Sequence, residues 1–242
     1  MAIEEVERKY RTVEENRHCR TSKKWIELNP DELKKYYNTF KKIEHESKLG
    51  IKWSMVIDIR KCIGCHACTI ACKVENNVPE EVFRAWVKVA EKGKYPNPQI
   101  LFLPRLCNHC ENPPCVEVCP VRATYRREDG TVLIDKKICI GCGYCIQACP
   151  YDARFFNPIS HTADKCTFCN HRLEKKLRPA CVEACVGNAR TFGNLDDPDS
   201  EVSYLTTKNA VQVLKEEMRT VPMVFYIGLD KDIIGRIGGG EE

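Results

Sequence analysis

The spacing of the cysteines limits the folds open to this chain more than any other feature. The segment CIGCGYCIQACP (residues 139–150) follows the pattern C-x2-C-x2-C-x3-C-P, and CIGCHACTIAC (residues 62–72) has the same spacing. Two looser motifs, residues 107–119 and 166–185, each read CxxC, a spacer, then CVExC. The four motifs use sixteen of the 17 cysteines and leave only Cys19. Such crowding predicts irregular, ligand-bearing loops joined by short regular elements.

The motifs also form an internal repeat. VIDIRKCIGCHACTIAC (residues 56–72) corresponds to LIDKKICIGCGYCIQAC (residues 133–149), and the two looser motifs correspond to each other. We therefore interpret the chain as a duplicated unit, each copy with two motifs. A short strand is expected before each motif and a short helix near its last cysteine, and Asp129-Gly130 suits a hairpin turn. This pattern predicts an α+β fold of low regular content.

The tighter spacing is that of bacterial ferredoxins, which bind [4Fe–4S] clusters. Three thiolates of one loop hold one cluster, and the fourth ligates the other cluster of a pair. Zinc sites use paired CxxC segments, which the looser motifs could supply. The tighter motifs do not suit zinc, because their third cysteine follows the second by only three positions. Disulfides suit small secreted domains, whereas 242 residues can bury a core without them. The sequence favours four [4Fe–4S] clusters over both alternatives.

Residues near the motifs have more than one role open to them. Since every motif already has four thiolates, the flanking histidines are expected to support the sites or to lie at the surface; they are His66, His109, His161 and His171. Positive charge beside a cluster raises its reduction potential. Basic residues adjacent to predicted ligands could act in this way or be ordinary surface residues; they are Lys61, Lys137, Lys165 and Arg172.

No segment indicates catalysis. The chain has no phosphate-binding loop, nucleophile elbow or zinc-protease helix. Clusters held by four thiolates have no open coordination position, so we predict a non-catalytic electron conductor. The net charge of +4, with acids and bases interleaved, does not indicate nucleic-acid binding.

The regions outside the motifs give further expectations. Residues 1–52 form a charged extension. Within it, Asn29-Pro30-Asp31 begins a predicted helix that has an apolar stripe from Leu33 to Ile43. This helix either packs on the core of its own chain or docks a partner subunit. Residues 81–89 and 221–229 are expected to be strands, 196–203 a loop and 208–218 an exposed helix. No apolar run approaches the roughly 20 residues of a membrane span, and the N-terminus has no secretory or twin-arginine signal.

Several stretches carry a resemblance to a known family: CNHCENPPCVEVCPVRATYRREDG, CIQACPYDARF, ADKCTFCNHRLEKKLRPACVEAC and FGNLDDPDSEVS. From about Trp53 to Leu205 the chain resembles the four-cluster iron–sulfur subunits of the molybdopterin (DMSO reductase) family. It is most similar to those of tetrathionate reductase and its polysulfide and thiosulfate reductase relatives. The motifs are specific for the subunit type and much less so for the substrate of the enzyme.

The resemblance implies four ligand sets of four cysteines each, made by pairing motif one with four and motif two with three. Set 1 is Cys62, Cys65, Cys68 and Cys185; set 2 is Cys166, Cys169, Cys181 and Cys72; set 3 is Cys107, Cys110, Cys115 and Cys149; set 4 is Cys139, Cys142, Cys145 and Cys119. Residues 53–98 with 159–205 would form one two-cluster ferredoxin-like unit and residues 99–158 the other, followed by a C-terminal helix and strand in residues 206–242.

The resemblance also implies two partners. A catalytic subunit with a Mo or W bis-molybdopterin centre would lie near sets 1 and 2, and a quinone-reactive membrane subunit near sets 3 and 4. The chain would then be membrane-associated through a partner, either outside the cytoplasm by co-export with the catalytic subunit or inside it. The alternatives are a soluble polyferredoxin acting as a diffusible carrier and a zinc-scaffold interaction protein. The apolar stripe and the mildly basic balance favour a fixed partner.

Overall fold

The computed structural model describes residues 50–230 and Ile233, and within this range the fold is mixed α+β with short elements. The strands are β1 Trp53–Asp58, β2 Ala85–Lys92, β3 Gln99–Leu106, β4 Thr124–Arg126, β5 Val132–Ile134, β6 Arg154–Asn157, β7 Thr162–Lys165, β8 Arg190–Asn194, β9 Val211–Gln212 and β10 Val224–Ile227. The α-helices are α1 Ala67–Asn76, α2 Pro114–Glu117, α3 Tyr144–Gln147, α4 Asn170–Leu173, α5 Ala180–Glu183 and α6 Glu201–Lys208. Short 3₁₀ helices span Ile59–Lys61 and Glu216–Met218.

A four-stranded sheet, in the order β8-β1-β10-β9, forms the centre of the described chain. Strand β1 pairs parallel with β10, with Met55 opposite Val224, and antiparallel with β8, with Met55 opposite Phe192. Met55 and Val224 on one face of the sheet and Val56 and Ile227 on the other are all buried, as expected for strands covered on both faces. Because β1 precedes motif one and β8 follows motif four, this pairing brings the first and last motifs together.

The remaining strands form three two-stranded antiparallel ladders, β2–β3, β4–β5 and β6–β7. The β4–β5 hairpin turns at Asp129-Gly130, as predicted, and Gly130 adopts the positive φ that such a turn requires. This hairpin joins motif two to motif three. The strand predicted within residues 81–89 is present as β2.

Of two predictions for the C-terminal region, one was correct in part and one was wrong. Residues 196–200 of the expected loop 196–203 are irregular, but residues 201–203 begin α6. The Ser200 hydroxyl accepts from the N–H of Ser203 at 3.2 Å and caps this helix. The exposed helix predicted for residues 208–218 is absent, because α6 ends at Lys208 and the chain continues into β9. Val211 pairs with Ile227 in the sheet, so burial of this segment outweighs its helical propensity.

The strand expected in residues 221–229 is present as β10, and it lies inside the sheet between β1 and β9. The N-terminal helix and Cys19 lie outside the described residues. Within the described range, no helix has the length and apolar character needed to cross a bilayer.

Candidate cluster-binding sites

Three cavities are each lined by four cysteines from two different motifs. The first has Cys62, Cys65, Cys68 and Cys185; the second has Cys72, Cys166, Cys169 and Cys181; the third has Cys107, Cys110, Cys115 and Cys149. These groups coincide with sets 1, 2 and 3, so the fold brings together the cysteines that the family resemblance pairs. Their role as ligands stays a prediction.

Tight packing between motifs one and four holds sets 1 and 2 side by side. The N–H of Asp58 donates to the carbonyl of Ala189 at 2.8 Å, extending the β1–β8 ladder toward the cysteines. A side chain at Gly187 would place its Cβ 2.3 Å from the carbonyl oxygen of Lys61. Only glycine therefore allows motif four to approach motif one this closely.

The fourth set, like set 1, lies nearer the surface than sets 2 and 3. Cys145 is buried against Val132 and Ala163, Cys139 packs at the edge of this cluster, and Cys142 is exposed. Burial alone would raise the pKa of Cys119, but hydrogen bonds from the backbone of Thr124 and its neighbours lower it below the usual value. Strands β4 and β5 position this set, because they connect motif two to motif three.

Burial favours the protonated form of several of the other thiols in the absence of a bound cation. It raises the pKa of Cys72 and Cys110 to about 12 and that of Cys115 and Cys181 to about 11, with neighbouring cysteines adding to the effect. A cationic metal must offset this cost before thiolates can form. The donor chemistry therefore fits iron, which binds cysteine as thiolate.

The space among the thiols also fits a group of several atoms. Each cavity encloses 280–350 Å³ free of protein atoms, part of it open to solvent. Across residues 50–230, no three His, Cys, Asp or Glu side chains converge closely enough to hold a single metal ion. The thiols instead surround the cavities, an arrangement suited to a cluster with several corners.

Two buried arginines lie among the cysteines, and the sequence analysis did not identify them. Arg154 Nη2 donates to Cys115 Sγ at 2.9 Å, and its Nη1 donates to Thr124 Oγ1 at 3.2 Å. Arg190 Nη1 lies 3.7 Å from Cys181 Sγ. The sequence contained a signal, because each arginine is the fifth residue after the last cysteine of its motif.

A third cation, Lys165, is 1% exposed and donates to the carbonyls of Val132 and Cys166. Cys166 belongs to set 2 and Val132 lines the cavity of set 3, so Lys165 lies between these two sets. Burial lowers its pKa, while Cys107 and Cys166 act in the opposite direction. For both arginines, burial alone would lower the pKa, but nearby cysteine thiolates hold it above the ordinary value. A buried cation therefore lies beside each pair of neighbouring sets: Arg190 for sets 1 and 2, Lys165 for sets 2 and 3, and Arg154 for sets 3 and 4.

Of the other basic residues considered, Lys61 and Lys137 are exposed, and Arg172 forms ion pairs with Glu75 and Glu183. Only Lys165 of that group is buried among the cysteines.

The histidines divide in a similar way. His109 is fully buried, stacks on Phe168 at a centroid distance of 3.7 Å and accepts the N–H of Val132 at Nδ1. Burial and the nearby cations Lys165 and Arg154 lower its pKa well below the usual value, so the ring is neutral. The remaining three, His66, His161 and His171, are exposed.

A polar network supports set 2. Asn76 Nδ2 lies 3.7 Å from the sulfurs of both Cys72 and Cys169, and Arg84 Nη1 donates to Asn76 Oδ1 at 2.8 Å. Arg84 in turn pairs with buried Asp164 at 2.8 Å. The network fixes a hydrogen-bond donor beside two of the four thiols.

Comparison with known proteins agrees with this geometry. The 4Fe-4S dicluster domain family matches residues 61–123 and again residues 98–195. The tetrathionate reductase B subunit of Salmonella typhimurium is 52% identical over 200 residues, covering 81% of this chain and 80% of that protein. The protein of the same name from Archaeoglobus fulgidus is 51% identical over 181 residues, covering 74% and 84%. The B component of polysulfide reductase from Wolinella succinogenes is 42% identical over 179 residues, covering 73% and 94%.

Proposed function

This protein belongs to the family of 4Fe–4S iron–sulfur subunits of reductase complexes, and on this premise we propose that it carries electrons through four [4Fe–4S] clusters. The electrons would pass between a Mo or W bis-molybdopterin catalytic subunit and a quinone-reactive membrane subunit of a respiratory reductase. Members of this family transfer electrons and are not the catalytic subunits, so this chain has no substrate site of its own in the proposal.

The sixteen cysteines of sets 1–4 would hold the clusters. Residues 53–98 with 159–205 would form the unit of sets 1 and 2, and residues 99–158 the unit of sets 3 and 4. When bound, each [4Fe–4S] cluster exchanges one electron and supplies no open coordination position for a substrate. The chain itself fixes the thiols, buries nine of the sixteen and places positive charge beside them.

The order of the sets is the observation that carries the proposal. Arg190 lines the cavity of set 1 and contacts Cys181 of set 2. Lys165 donates to the carbonyl of Cys166 in set 2 and to that of Val132, which lines the cavity of set 3. Arg154 contacts Cys115 of set 3 and interacts with Cys145 of set 4. These contacts link set 1 to set 2, set 2 to set 3 and set 3 to set 4, and clusters in that order would conduct electrons along a line.

The two terminal sets have features suited to partner contacts. Cys65 of set 1 and Cys142 of set 4 are exposed. Each follows an exposed isoleucine in the same CIGC segment, Ile63 at 59% and Ile140 at 63% exposure. In this proposal, each exposed isoleucine and the cysteine beside it belong to a surface that a partner covers. We assign set 1 to the side of the catalytic subunit and set 4 to the side of the membrane subunit.

The test uses membranes that carry the complex with either Cys142→Ser or Cys65→Ser. Cys142→Ser should abolish quinol-driven turnover and quinol reduction of sets 1–3, while an artificial donor that reaches the catalytic subunit directly should still support activity. Cys65→Ser should also stop quinol-driven turnover but leave sets 3 and 4 reducible by quinol. EPR spectroscopy of each membrane preparation measures which clusters are reduced.

Cys19→Ser is the matched control, because Cys19 is the one cysteine outside the four sets, and it should leave turnover and all cluster signals unchanged. Iron content shows whether a variant has lost one cluster or the whole fold. If Cys142→Ser leaves quinol reduction of sets 1–3 intact, the proposed orientation is wrong. If the chain purifies with all its clusters but never with a partner, a diffusible carrier replaces the proposed complex.

A further inference from the structure

Arg154 and Arg190 have the same position relative to their own motifs. Each follows the last cysteine of its motif by five positions, Cys149 of motif three and Cys185 of motif four. Each also follows a buried alanine and is itself 4% exposed. The same spacing, burial and charge beside both motifs indicate a common task.

Neither guanidinium has an acidic partner among the described residues. The Arg154 guanidinium donates to Thr124 and to the sulfur of Cys115 and interacts with Cys145, while its Nε has no partner. The Arg190 guanidinium lies 3.7 Å from the sulfurs of both Met55 and Cys181, and its Nη2 has no partner. An arginine remains charged in proteins, and a buried charge is stable only beside an opposite charge. The cysteine sets are the negative groups within reach.

Each arginine also bridges two sets. Arg154 lines the cavity of set 3 and interacts with Cys145 of set 4. Arg190 lines the cavity of set 1 and contacts Cys181 of set 2. One fixed positive charge therefore faces both members of each two-cluster unit.

We propose that Arg154 and Arg190 are positioning residues that set the reduction potentials of the two cluster pairs, Arg154 for sets 3 and 4 and Arg190 for sets 1 and 2. The inference rests on the proposed function, because it requires clusters in the four sets. A cluster gains one negative charge on reduction, so a nearby fixed cation stabilises the reduced form and raises the potential. Sharing one cation between neighbours shifts both members of a pair in the same direction.

The experiment is an EPR-monitored redox titration of the full-length protein, purified anaerobically, with Arg154→Gln and Arg190→Gln. Each variant should lower the equilibrium constant for reduction of each cluster in its own pair at least tenfold. For one electron this corresponds to a reduction potential lower by about 59 mV. The signals shifted by Arg154→Gln should differ from those shifted by Arg190→Gln. Arg126→Gln, which removes an exposed arginine from β4, should shift none of them.

Arg154→Lys and Arg190→Lys separate charge from packing. Lysine keeps the positive charge but changes the shape of the side chain. The reduction potentials of the lysine variants should therefore lie much closer to the wild-type values than those of the glutamine variants. If the lysine and glutamine variants shift the potentials equally, or if both lose the clusters, the role is structural and the inference is overturned. Clusters present with unmoved potentials also overturn the inference and leave the proposed function standing. A wild-type chain without clusters overturns both.

Discussion

Asp164 is expected to be one of the residues on which stability most depends. Its carboxylate is 4% exposed and accepts from Arg84 at 2.8 Å, Lys136 at 3.0 Å and Asn157 at 3.2 Å. Burial alone would raise its pKa, but Arg84 and Lys136 hold the pKa below the ordinary value, so the group is charged at neutral pH. Asp164→Asn keeps the shape and leaves the buried guanidinium of Arg84 without its counter-charge.

The size of the effect follows from this geometry. Removing one partner of a buried ion pair costs about 3–5 kcal/mol. In a domain of 150–250 residues, each kcal/mol lowers the midpoint of thermal unfolding by about 2–4 °C. Asp164→Asn should therefore lower that midpoint by about 6–20 °C. Since Arg84 also holds Asn76 beside Cys72 and Cys169, the cluster of set 2 should be the first to be lost.

The assay follows visible absorbance and far-ultraviolet circular dichroism during anaerobic heating at one fixed scan rate. Glu174→Gln is the control, because this carboxylate is 59% exposed and its pair with Arg127 should contribute less than about 1 kcal/mol. Adding Arg84→Met to Asp164→Asn should raise the midpoint again, since no unpaired buried charge then remains. An Asp164→Asn midpoint within about 2 °C of the wild type would refute this reasoning.

Two further predictions concern the cofactors directly. Anaerobically purified protein should contain about sixteen iron and sixteen sulfide per chain, four of each per cluster, measured by chemical analysis; stoichiometric zinc with little iron would contradict this. Cys72→Ser should damage the cluster of set 2, formed mainly by motif four, and spare the cluster that Cys62, Cys65 and Cys68 hold. EPR spectra compared with the wild type measure this, and a loss confined to set 1 would show that the fourth cysteine serves its own motif.

The local chemistry could be predicted from the sequence because it depends on residues close together along the chain. The spacing within 139–149 places thiols on one loop whatever the rest of the fold does. The Asp129-Gly130 turn is likewise local, and its hairpin is present as predicted. The resemblance also supplied the pairing of motifs, and the cavities gather the cysteines of sets 1–3 in those groups.

Other features were decided only by contacts between distant segments. Residues 208–218 have a helical pattern, yet Val211 pairs with Ile227, whose strand lies beside β1 at the other end of the described chain. Arg154 and Arg190 look like ordinary surface arginines in the sequence and are buried in the structure. Residue spacing determines which groups one loop can present, whereas burial and charge environment depend on what the folded chain packs against them. For this protein, the ligand loops could therefore be predicted from the sequence, whereas the tertiary structure determines which cations are buried between them.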